Sequence, residues 1–426
     1  QNYSDPDRNS MTRPLTIIVI GAGICVLSSA IWLRRAGHHV TLLDRDHPGA
    51  GASYGNAGLL AGWAMIPVNT PDLPKTALKY LLSPKSPLFL QWSALPSLTP
   101  WLWQFLRNAS ETRLSHMSDG IARIVTDSLD QHRALTRGTE AAARVSPSAL
   151  SFVYPNRAAF EADARDWGIR EMHGQIPDLI EGPAVQEQEP ILSPSCRFIA
   201  RLKDHGHILD PGGYMADLAR VLETEGGRIL QAEALDITLD SGRVASVVPY
   251  RGVFPCDCAV LAAGIRSNHL LQKLGLSVPM IAERGQHLHF KTPSVMPRDP
   301  MMIVKGKFGA TPMTTGLRCA GTVELGDTHK GPNRAALSLI GQHAAQVFPS
   351  MTYDSVEEWL GFRPSTPDSL PLIGEIGQTG AYAAFGHQHV GLTAGPKTGR
   401  LIAALIDGQP PNTDLTAYNA NRFSRA

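Results

Sequence analysis

The sequence predicts a mixed α/β protein of the Rossmann type. An uncharged run of β-forming residues at 17–20 leads directly into Gly21-Ala22-Gly23 and then into a helix-forming pattern. A second apolar strand at 40–43 ends on an acid, Asp44. Near the other end of the chain, a strand at 381–385 again passes through a glycine into a helix. Strands that alternate with helices in this way are typical of α/β folds.

The first of these units has the features of a dinucleotide site. Gly21 and Gly23 allow the backbone to turn tightly and to approach a pyrophosphate, which would lie on the free N–H groups at the helix N-terminus. Asp44, about twenty residues further on, can accept hydrogen bonds from the adenosine ribose hydroxyls. The third glycine of the fingerprint is replaced by Val26. Because that glycine normally lets the helix pack closely against the strand, we expect a distorted helix start here.

The same stretch also fits two other interpretations. Residues 15–33 carry no charge, which matches the length of a transmembrane span, and Arg13 precedes them as it would in a signal peptide. However, the glycines at 21 and 23 break the run, and an acid-terminated strand follows at ordinary βαβ spacing. These two features favour the nucleotide site.

Composition sets the outer bounds. The 426 residues are enough for two sizeable domains, and a net charge of +1 with both signs well mixed argues against a nucleic-acid partner. Five cysteines form an odd, sparse set, which favours a reducing compartment over a disulfide framework. The spacing of Cys256 and Cys258 fits neither a metal nor a redox motif, and no metal site is predicted. Residues 1–10 are polar and precede Met11, so we interpret them as a tag remnant or disordered extension.

Two further segments are predicted to reach the same ligand. A glycine-rich connection at 47–58 follows Asp44 and can bring its backbone N–H groups close to an anion, although a plain linker is the alternative. A buried strand is predicted at 258–264, and it ends in small residues that let a backbone pass close to a cofactor. Asp210 is expected to cap a helix that starts at Pro211. Strands are predicted at 228–232, 236–239 and 243–249.

The middle of the chain gives weaker signals. A stretch at 63–106 is rich in tryptophan, and prolines at 84, 87, 96 and 100 divide it, so it cannot be one membrane-spanning helix. It fits either a core-packed cap over a substrate cavity or a surface that dips into a bilayer interface. Residues 108–205 are predicted to form helices joined by turns.

The C-terminal part contains the second strong signal. Arg363 is predicted to lie in a proline-flanked apolar turn, where a guanidinium is costly to bury without an acid. It therefore either pairs internally or awaits a carboxylate ligand. Further on, the turn at 386–393 opens a helix whose N-terminus favours an anion. Its His387 and His389 could orient a substrate or simply serve as hydrogen-bonding scaffold.

Together these motifs resemble the flavin-dependent amino-acid oxidoreductases that include glycine oxidase and D-amino acid dehydrogenase. Within that group the chain looks most like the glyphosate oxidoreductase branch. The resemblance covers residues 11–423 and rests on the fingerprint with Asp44 and on the loop at 51–58. It continues through the motifs at 283–285, 306–312, 320–324, 361–374 and 386–393.

The resemblance implies non-covalent FAD in a two-domain fold with interleaved segments. An FAD-binding domain would comprise 11–62, 208–272 and 354–426. A substrate or cap domain, built on an antiparallel sheet plus helices, would comprise 63–207 and 273–353. The residues that would bind FAD are Gly21, Gly23, Ile24, Asp44, Arg45, Ser53, Asn56, Ala57, Gly58, Ala263, Gly264, Gly361, Gly386, Val390, Gly391, Leu392 and Thr393.

The resemblance also implies a substrate site. Arg363 holds the position at which the family binds a substrate carboxylate, and His389 stands where glycine oxidase has an arginine. With His387 they are the predicted catalytic residues. Lys305 and Lys307 lie in a segment that the family places near the substrate and could serve an acidic side group, although an ordinary surface face is the alternative.

The expected reaction is oxidative deamination of a small D-amino acid, glycine or N-substituted glycine. A hydride leaves the carbon next to nitrogen for flavin N5, and the resulting imine hydrolyses to a 2-oxo acid. The alternatives are a secondary amine such as sarcosine, hydroxyproline or a glyphosate-like substrate, and a nucleotide-binding subunit without turnover. Oxygen or a membrane quinone would accept the electrons, and the oligomeric state is open. The sequence favours a cytoplasmic location and leaves open peripheral contact with the inner face of the cell membrane.

Overall fold

The computed structural model describes residues 13–75 and 88–423. The predicted extension at 1–10, Met11 and the prolines at 84 and 87 lie outside these residues. The strands are β1 (Thr16–Ile20), β2 (His39–Asp44), β3 (Leu59–Leu60), β4 (Leu88–Leu90), β5 (Val145–Tyr154), β6 (Asp178–Glu181), β7 (Phe198–Ile208), β8 (Arg228–Gln231), β9 (Ala234–Asp240), β10 (Arg243–Pro249), β11 (Phe254–Pro255), β12 (Cys258–Leu261), β13 (Ile281–Lys291), β14 (Met301–Ile303), β15 (Phe308–Met313), β16 (Gly316–Ala320), β17 (Val323–Leu325), β18 (Ser355–Ser365), β19 (Leu372–Glu375) and β20 (Ala381–Phe385). The helices are α1 (Ile24–Arg35), α2 (Leu95–Arg107), α3 (Glu111–Val125), α4 (Ser128–Thr136), α5 (Arg157–Glu161), α6 (Ala164–Met172), α7 (Ala184–Gln188), α8 (Pro211–Thr224), α9 (Ser267–Lys273), α10 (Arg334–Val347) and α11 (Gly391–Ile406).

The first sheet has the strand order β19-β20-β12-β1-β2-β8, and β19 is antiparallel to its parallel neighbours. Its central strand β1 is apolar and buried from Ile17 to Ile20, because both faces of the sheet are covered there. On one face, Ile17 and Val19 pack in a core with α1, α8 and α11. On the other, Ile18 and Ile20 pack against α9 and a small antiparallel sheet of β9, β10 and β11. The predicted Rossmann-type α/β fold is confirmed.

Helices α1 and α11 pack backbone against backbone. A Cβ atom on Gly399 of α11 would lie 2.5 Å from the carbonyl carbon of Ser28 and from the amide nitrogen of Ser29 in α1. Only glycine allows this approach, because real Cβ atoms need more than 3.0 Å. The C-terminal helix is thereby held tightly beside the helix that begins at the fingerprint.

The second sheet is larger and mainly antiparallel, with the order β3-β7-β5-β14-β15-β16-β13-β17-β4. Strand β18 pairs with β13, and β6 pairs with β7. The prediction that 108–205 form only helices and turns is wrong, because β5, β6 and most of β7 lie there. Polar residues such as Ser148 and Lys203 interrupt the apolar pattern of these strands, and pairing with distant neighbours decides their conformation.

The sheet pairing cuts across some predicted domain boundaries. β3 and β18 were assigned to the FAD-binding segments, yet both pair within the larger sheet. The predicted boundary between residues 207 and 208 also falls inside β7. The division into domains stays a prediction, and these strands show that the chain passes between the two sheets at finer intervals.

The tryptophan-rich stretch divides between core and surface. Trp101 is buried, stacks on Phe105 with ring centroids 4.6 Å apart, and donates its indole N–H to the Ser365 carbonyl. Trp92 and Trp103 are exposed. Within the part of the chain that the structure describes, we find no helix both long and apolar enough to cross a membrane.

Asp210 takes the predicted position immediately before α8, but its side chain has another role. Among the described residues, its carboxylate pairs with Arg144 at 3.1 Å and makes no capping hydrogen bond to the helix. Arg144 in turn bonds Asp217 within the same helix at 2.9 Å. The carboxylate therefore ties α8 to the turn that precedes β5.

Candidate functional site

A cavity of about 700 Å³ lies where the two sheets meet. The carboxyl ends of the parallel strands β1, β2, β8, β12 and β20 all open into it, as is usual for ligand sites in open α/β sheets. The predicted residues that line it are Gly21, Gly23, Ile24, Asp44, Arg45, Ser53, Asn56, Ala57, Ala263, Gly264, Gly361, Arg363, Gly386, His387, His389, Gly391, Leu392, Thr393 and Lys307. The structure thus brings segments from both ends of the chain to one cavity.

Three predicted residues lie elsewhere. Gly58 stands behind the cavity wall, where a Cβ atom would come within 2.8 Å of the Met313 side chain. Val390, although part of the turn at 386–393, directs its side chain into the hydrophobic core and not into the cavity. Lys305 is exposed and lies away from the cavity lining, which suits the surface interpretation.

The fingerprint forms a tight cradle despite its valine. Gly21 has φ +116°, and a Cβ atom on it would lie 2.9 Å from the Ala262 carbonyl oxygen and 2.9 Å from Val26 Cγ2. Val26 therefore occupies the space above a bare Cα atom. Helix α1 begins regularly, with the Leu27 N–H donating to the Gly23 carbonyl at 3.0 Å. The expected distortion of the helix start is wrong, because Gly21 provides the room that the missing third glycine would have given.

The start of α1 is suited to an anion. Its first turn consists of uncharged residues, so the positive end of the helix dipole faces the cavity without a carboxylate of its own. The Ile24 N–H donates to Ser53 Oγ at 3.1 Å, which joins the loop at 51–58 to the cradle. Asp44 ends β2 at the cavity, and burial is the main cause that raises the pKa of its carboxyl. A carboxylate that is costly to desolvate gains from hydroxyl donors such as those of a ribose.

The loop at 51–58 is fixed by residues that the sequence reasoning missed. Arg318 donates to the carbonyl oxygens of Tyr54 and Asn56 at 3.0 and 2.7 Å, and burial lowers its pKa to about 10. His287 Nδ1 lies 2.9 Å from the Gly55 carbonyl, so this nitrogen carries the proton. Three carbonyl oxygens of the loop are thus hydrogen-bonded to side chains of the larger sheet. The loop is a fixed wall of the cavity and not a plain linker.

Arg363 projects from strand β18 and not from the predicted turn. It stands directly opposite Glu283 of β13, and its Nη1 atom lies 2.6 Å from Glu283 Oε1 and 3.2 Å from the Thr322 carbonyl oxygen. Below it, a Cβ atom on Gly285 would meet the guanidinium carbon at 2.4 Å. The internal pair is therefore the alternative that the structure realises, while both Arg363 and Glu283 also line the cavity.

The two histidines of the 386–393 turn differ in environment. His387 is buried between Thr398 Oγ1 at 2.9 Å and Cys25 Sγ at 3.7 Å, and burial lowers its pKa to about 4. This neutral ring fits the scaffold interpretation. His389 is exposed to the cavity beside Glu283 and Arg363. Although its side chain has free surface in the cavity, the surrounding protein desolvates the ring and lowers the pKa of His389. The negative charge of Glu283 opposes this shift, and the positive charge of Arg363 adds to it.

A proline determines how the start of α11 is held. Pro396 has no N–H, so the carbonyl of Leu392, four residues earlier, lacks its helical donor. His132 Nε2 lies 2.9 Å from that oxygen, and its Nδ1 lies 2.9 Å from the Tyr214 hydroxyl. One turn earlier on α4, Ser128 donates to the Thr393 carbonyl at 2.8 Å. The proline within an otherwise helical pattern was the signal that could have revealed these two hydrogen bonds from α4.

The cavity residues fit a dinucleotide cofactor. The glycine cradle, the uncharged helix start and the acid at the end of β2 together provide for a pyrophosphate and a ribose. The same cavity is also lined by Arg363, Glu283 and His389, which are the polar groups that a second reactant could contact. Within residues 13–75 and 88–423, no group of three or more His, Cys, Asp or Glu side chains could hold a metal ion.

Comparisons with known proteins agree with this geometry. The family described as FAD dependent oxidoreductase matches residues 16–405. The D-amino-acid oxidase of Bradyrhizobium diazoefficiens is 34% identical over 415 residues, covering 96% of this chain and 98% of that protein. The D-amino acid dehydrogenase of Paramagnetospirillum magneticum is 29% identical over 430 residues, covering 96% of this chain and 99% of that protein.

Solved structures show the same fold. Glycine oxidase from Geobacillus kaustophilus superposes with a TM-score of 0.73 at 20% identity, covering 96% of this chain and 99% of that one. Iminodiacetate oxidase from Chelativorans gives 0.69 at 21% identity, covering 95% and 98%. At such identities the likeness is one of fold alone, whereas the family match spans most of the sequence. The chain therefore belongs to the family of FAD-dependent oxidoreductases that includes the D-amino-acid oxidases.

Proposed function

We propose that this protein oxidises a small amino acid at the carbon next to nitrogen, the substrate being a D-amino acid, glycine or an N-substituted glycine. The observation that carries the proposal is Arg363, a guanidinium at the wall of a cavity whose other end is a dinucleotide cradle. FAD, when bound, accepts the hydride from the substrate carbon. The resulting imine would hydrolyse to a 2-oxo acid.

Arg363 is the proposed carboxylate clamp. Its Nη1 atom is held by Glu283 and the Thr322 carbonyl, which fixes the plane of the guanidinium and leaves its other donors for a ligand. Arginine binds carboxylates through two parallel N–H bonds, so a substrate held in this way has a defined orientation. Orientation of the reacting C–H bond is the main contribution that the protein can make to hydride transfer.

His389 is the proposed partner of the substrate nitrogen. Oxidation requires the nitrogen lone pair, so the amine must be neutral when the hydride leaves. A neutral imidazole can accept a hydrogen bond from that amine or take up its proton, and the environment of His389 favours the neutral form. His387 would not contact the substrate; its proposed role is to hold the turn at 386–393 against α1 and α11.

The cofactor would be held without a covalent bond by the cavity-lining residues predicted from the sequence, together with the N–H groups at the starts of α1 and α11. Oxygen or a quinone would accept the electrons afterwards. The exposed Trp92 and Trp103 support a test of membrane fractionation, because a quinone would be met at a membrane surface.

A secondary amine with a second acidic group is the other candidate. Lys307 lines the cavity from the turn between β14 and β15. A cation there would suit the acidic branch of an N-substituted glycine, and the iminodiacetate oxidase with the same fold acts, by its name, on such a compound. The resemblance to the glyphosate oxidoreductase branch, which rests on the sequence motifs alone, stays a prediction, and a glyphosate-like substrate would belong to this second candidate.

Anaerobic reduction of the bound flavin tests both candidates. The purified yellow protein is mixed with D-amino acids, glycine, sarcosine, hydroxyproline and iminodiacetate, and bleaching of the flavin absorbance is followed. Bleaching by a D-amino acid, glycine or sarcosine supports the main proposal, and preferential bleaching by iminodiacetate, which has a second acidic group, supports the second. Stable yellow colour with every compound would contradict both and favour a nucleotide-binding subunit without turnover.

A further inference from the structure

We propose that Glu283 and Arg363 form a charge-paired subsite that selects zwitterions, with Arg363 binding the carboxylate and Glu283 binding the substrate nitrogen. This inference rests on the proposed function and adds a second charged residue to it. The subsite would accept amino acids and reject carboxylic acids of the same shape that lack the nitrogen.

The geometry of the pair carries the argument. Glu283 is only 7% exposed, and what remains of its surface faces the cavity. Its Oε1 accepts from Arg363 Nη1 at 2.6 Å, and its Oε2 accepts from Ser365 Oγ at 3.2 Å. Both oxygens are therefore fixed by groups that themselves belong to β18. Each carboxylate oxygen can accept a further hydrogen bond, which a substrate nitrogen can donate.

The Arg363–Glu283 pair carries no net charge before a ligand enters. Arg363 and Glu283 cancel, and the lowered pKa of His389 leaves its ring neutral. Lys307 is a separate cation in the lining of the cavity, and its charge acts on the half-buried carboxyl of Asp163, which does not line the cavity. Burial raises the pKa of Asp163, and Lys307 is among the groups that oppose this. The other charged side chains of the lining follow the parallel strands, at the nucleotide end: Asp44, Arg45, Asp46, Glu233 and Arg266.

The neutrality of the Arg363–Glu283 pair lets the subsite distinguish an amino acid from a simple carboxylate. A simple carboxylate that binds Arg363 introduces one uncompensated negative charge next to the nearly buried Glu283. Like charges at such distances repel strongly when the dielectric constant is low. An amino acid enters with a positive nitrogen as well as its carboxylate, so that both new charges meet an opposite one. The nitrogen then gives a proton to the neutral ring of His389 and is neutral when the hydride leaves. A lone arginine would show the reverse preference for the anion.

The test compares a substrate with its own deamino analogue in wild type and Glu283→Gln holoenzyme. The probes are the best amino acid of the panel and the acid in which hydrogen replaces its amino group, such as propionate for D-alanine or acetate for glycine. The Michaelis constant is measured for the amino acid. The dissociation constant of the deamino acid is measured from its perturbation of the flavin absorbance.

We expect Glu283→Gln to shift the two ligands in opposite directions. The Michaelis constant of the amino acid should rise by about 30-fold or more, because a charged partner of the nitrogen is lost. The deamino acid should bind about 10-fold more tightly, because its negative charge no longer meets another. Shifts in the same direction, or no shift in either ligand, would overturn the inference.

Two controls separate this inference from the proposed function. Glu358→Gln removes the same charge from an exposed site on β18, where Glu358 pairs with Arg334 outside the cavity, and should change neither constant. Arg363→Ala should weaken both ligands together. If it weakens neither, the proposed carboxylate clamp fails whatever Glu283→Gln does.

Glu283→Asp covers the case in which the glutamine variant does not retain FAD. The shorter side chain withdraws the carboxylate from the substrate nitrogen but keeps the negative charge. The Michaelis constant should therefore rise while the deamino acid gains no affinity. Tighter binding of the deamino acid to the aspartate variant would contradict the electrostatic explanation.

Discussion

Replacement of Arg363 by alanine tests the central assignment of the site. The guanidinium is 22% exposed on the cavity side and forms a 2.6 Å ion pair with a nearly buried carboxylate. In the variant, a substrate carboxylate loses its charged partner and also faces Glu283 without compensation. Loss of Arg363 as the charged partner of the substrate carboxylate costs about 2–5 kcal/mol in binding. This corresponds to a Michaelis constant that is raised about 30- to 5,000-fold.

The cofactor should stay in place in this variant. Arg363 projects from β18 of the larger sheet, whereas the dinucleotide cradle is built from β1, α1 and β2. The FAD content of the purified variant, read from its visible absorbance, should therefore equal that of the wild type. The unfolding free energy should fall by about 1–3 kcal/mol, because Glu283 is left without its cation.

A double variant separates the two effects. Glu283→Gln added to Arg363→Ala removes the orphaned charge, so it should restore much of the stability without restoring the Michaelis constant. Steady-state kinetics and thermal denaturation of the three variants give the comparison. A Michaelis constant for Arg363→Ala within about threefold of the wild type would refute the carboxylate clamp, since that corresponds to less than about 1 kcal/mol.

Three further predictions concern the scaffold. His132→Leu leaves the Leu392 carbonyl without a donor, so it should lower the unfolding free energy by about 1–3 kcal/mol and weaken FAD retention. His132→Gln should lose less of both, and an equal loss in the two variants would exclude the hydrogen bond as the cause. Val26→Gly removes a fully buried side chain and adds glycine to a helix, so it should lower the unfolding free energy by about 2–4 kcal/mol without tighter FAD binding. A more stable variant would contradict the packing of Val26 over Gly21. Burial lowers the pKa of His287 to about 3 and that of His387 to about 4, from the value of 6.5 that holds in the unfolded chain. Between these values the unfolded chain binds more protons than the folded one. The unfolding free energy should therefore fall as the pH drops from about 6.5 towards 4. Melting temperatures from pH 8 to 4.5 check this, and a flat profile would show that these rings are not buried as neutral groups.

The predictions from sequence were most successful where a local motif dictates geometry. The glycines at 21 and 23, the acid at 44 and the strand at 381–385 each specify a backbone shape by themselves, and the structure confirms those shapes. Arg363 was recognised as unusual because a guanidinium in apolar surroundings always needs an explanation.

Other parts of the site depend on partners that are distant in the chain. Strand β5 was missed because it is stabilised by pairing with β7, some fifty residues later, and not by its own alternation. The sequence shows Glu283 only as part of a motif, because no local pattern indicates that it stands opposite Arg363 on the neighbouring strand. Likewise, the bare Cα of Gly21 explains Val26 only once the two residues are seen in contact.

The strand order of the first sheet has a consequence for how the protein is made. The fingerprint strand β1 is synthesised first, yet its neighbour β12 and the next strand β20 come from far later in the chain. Contacts between such distant segments form slowly, because a long loop must close before they can stabilise the structure. Helix α11, which packs on α1 through Gly399, comes later still. The cradle that is synthesised first is thus completed last, and a nascent or truncated chain lacks most of the walls that would retain FAD.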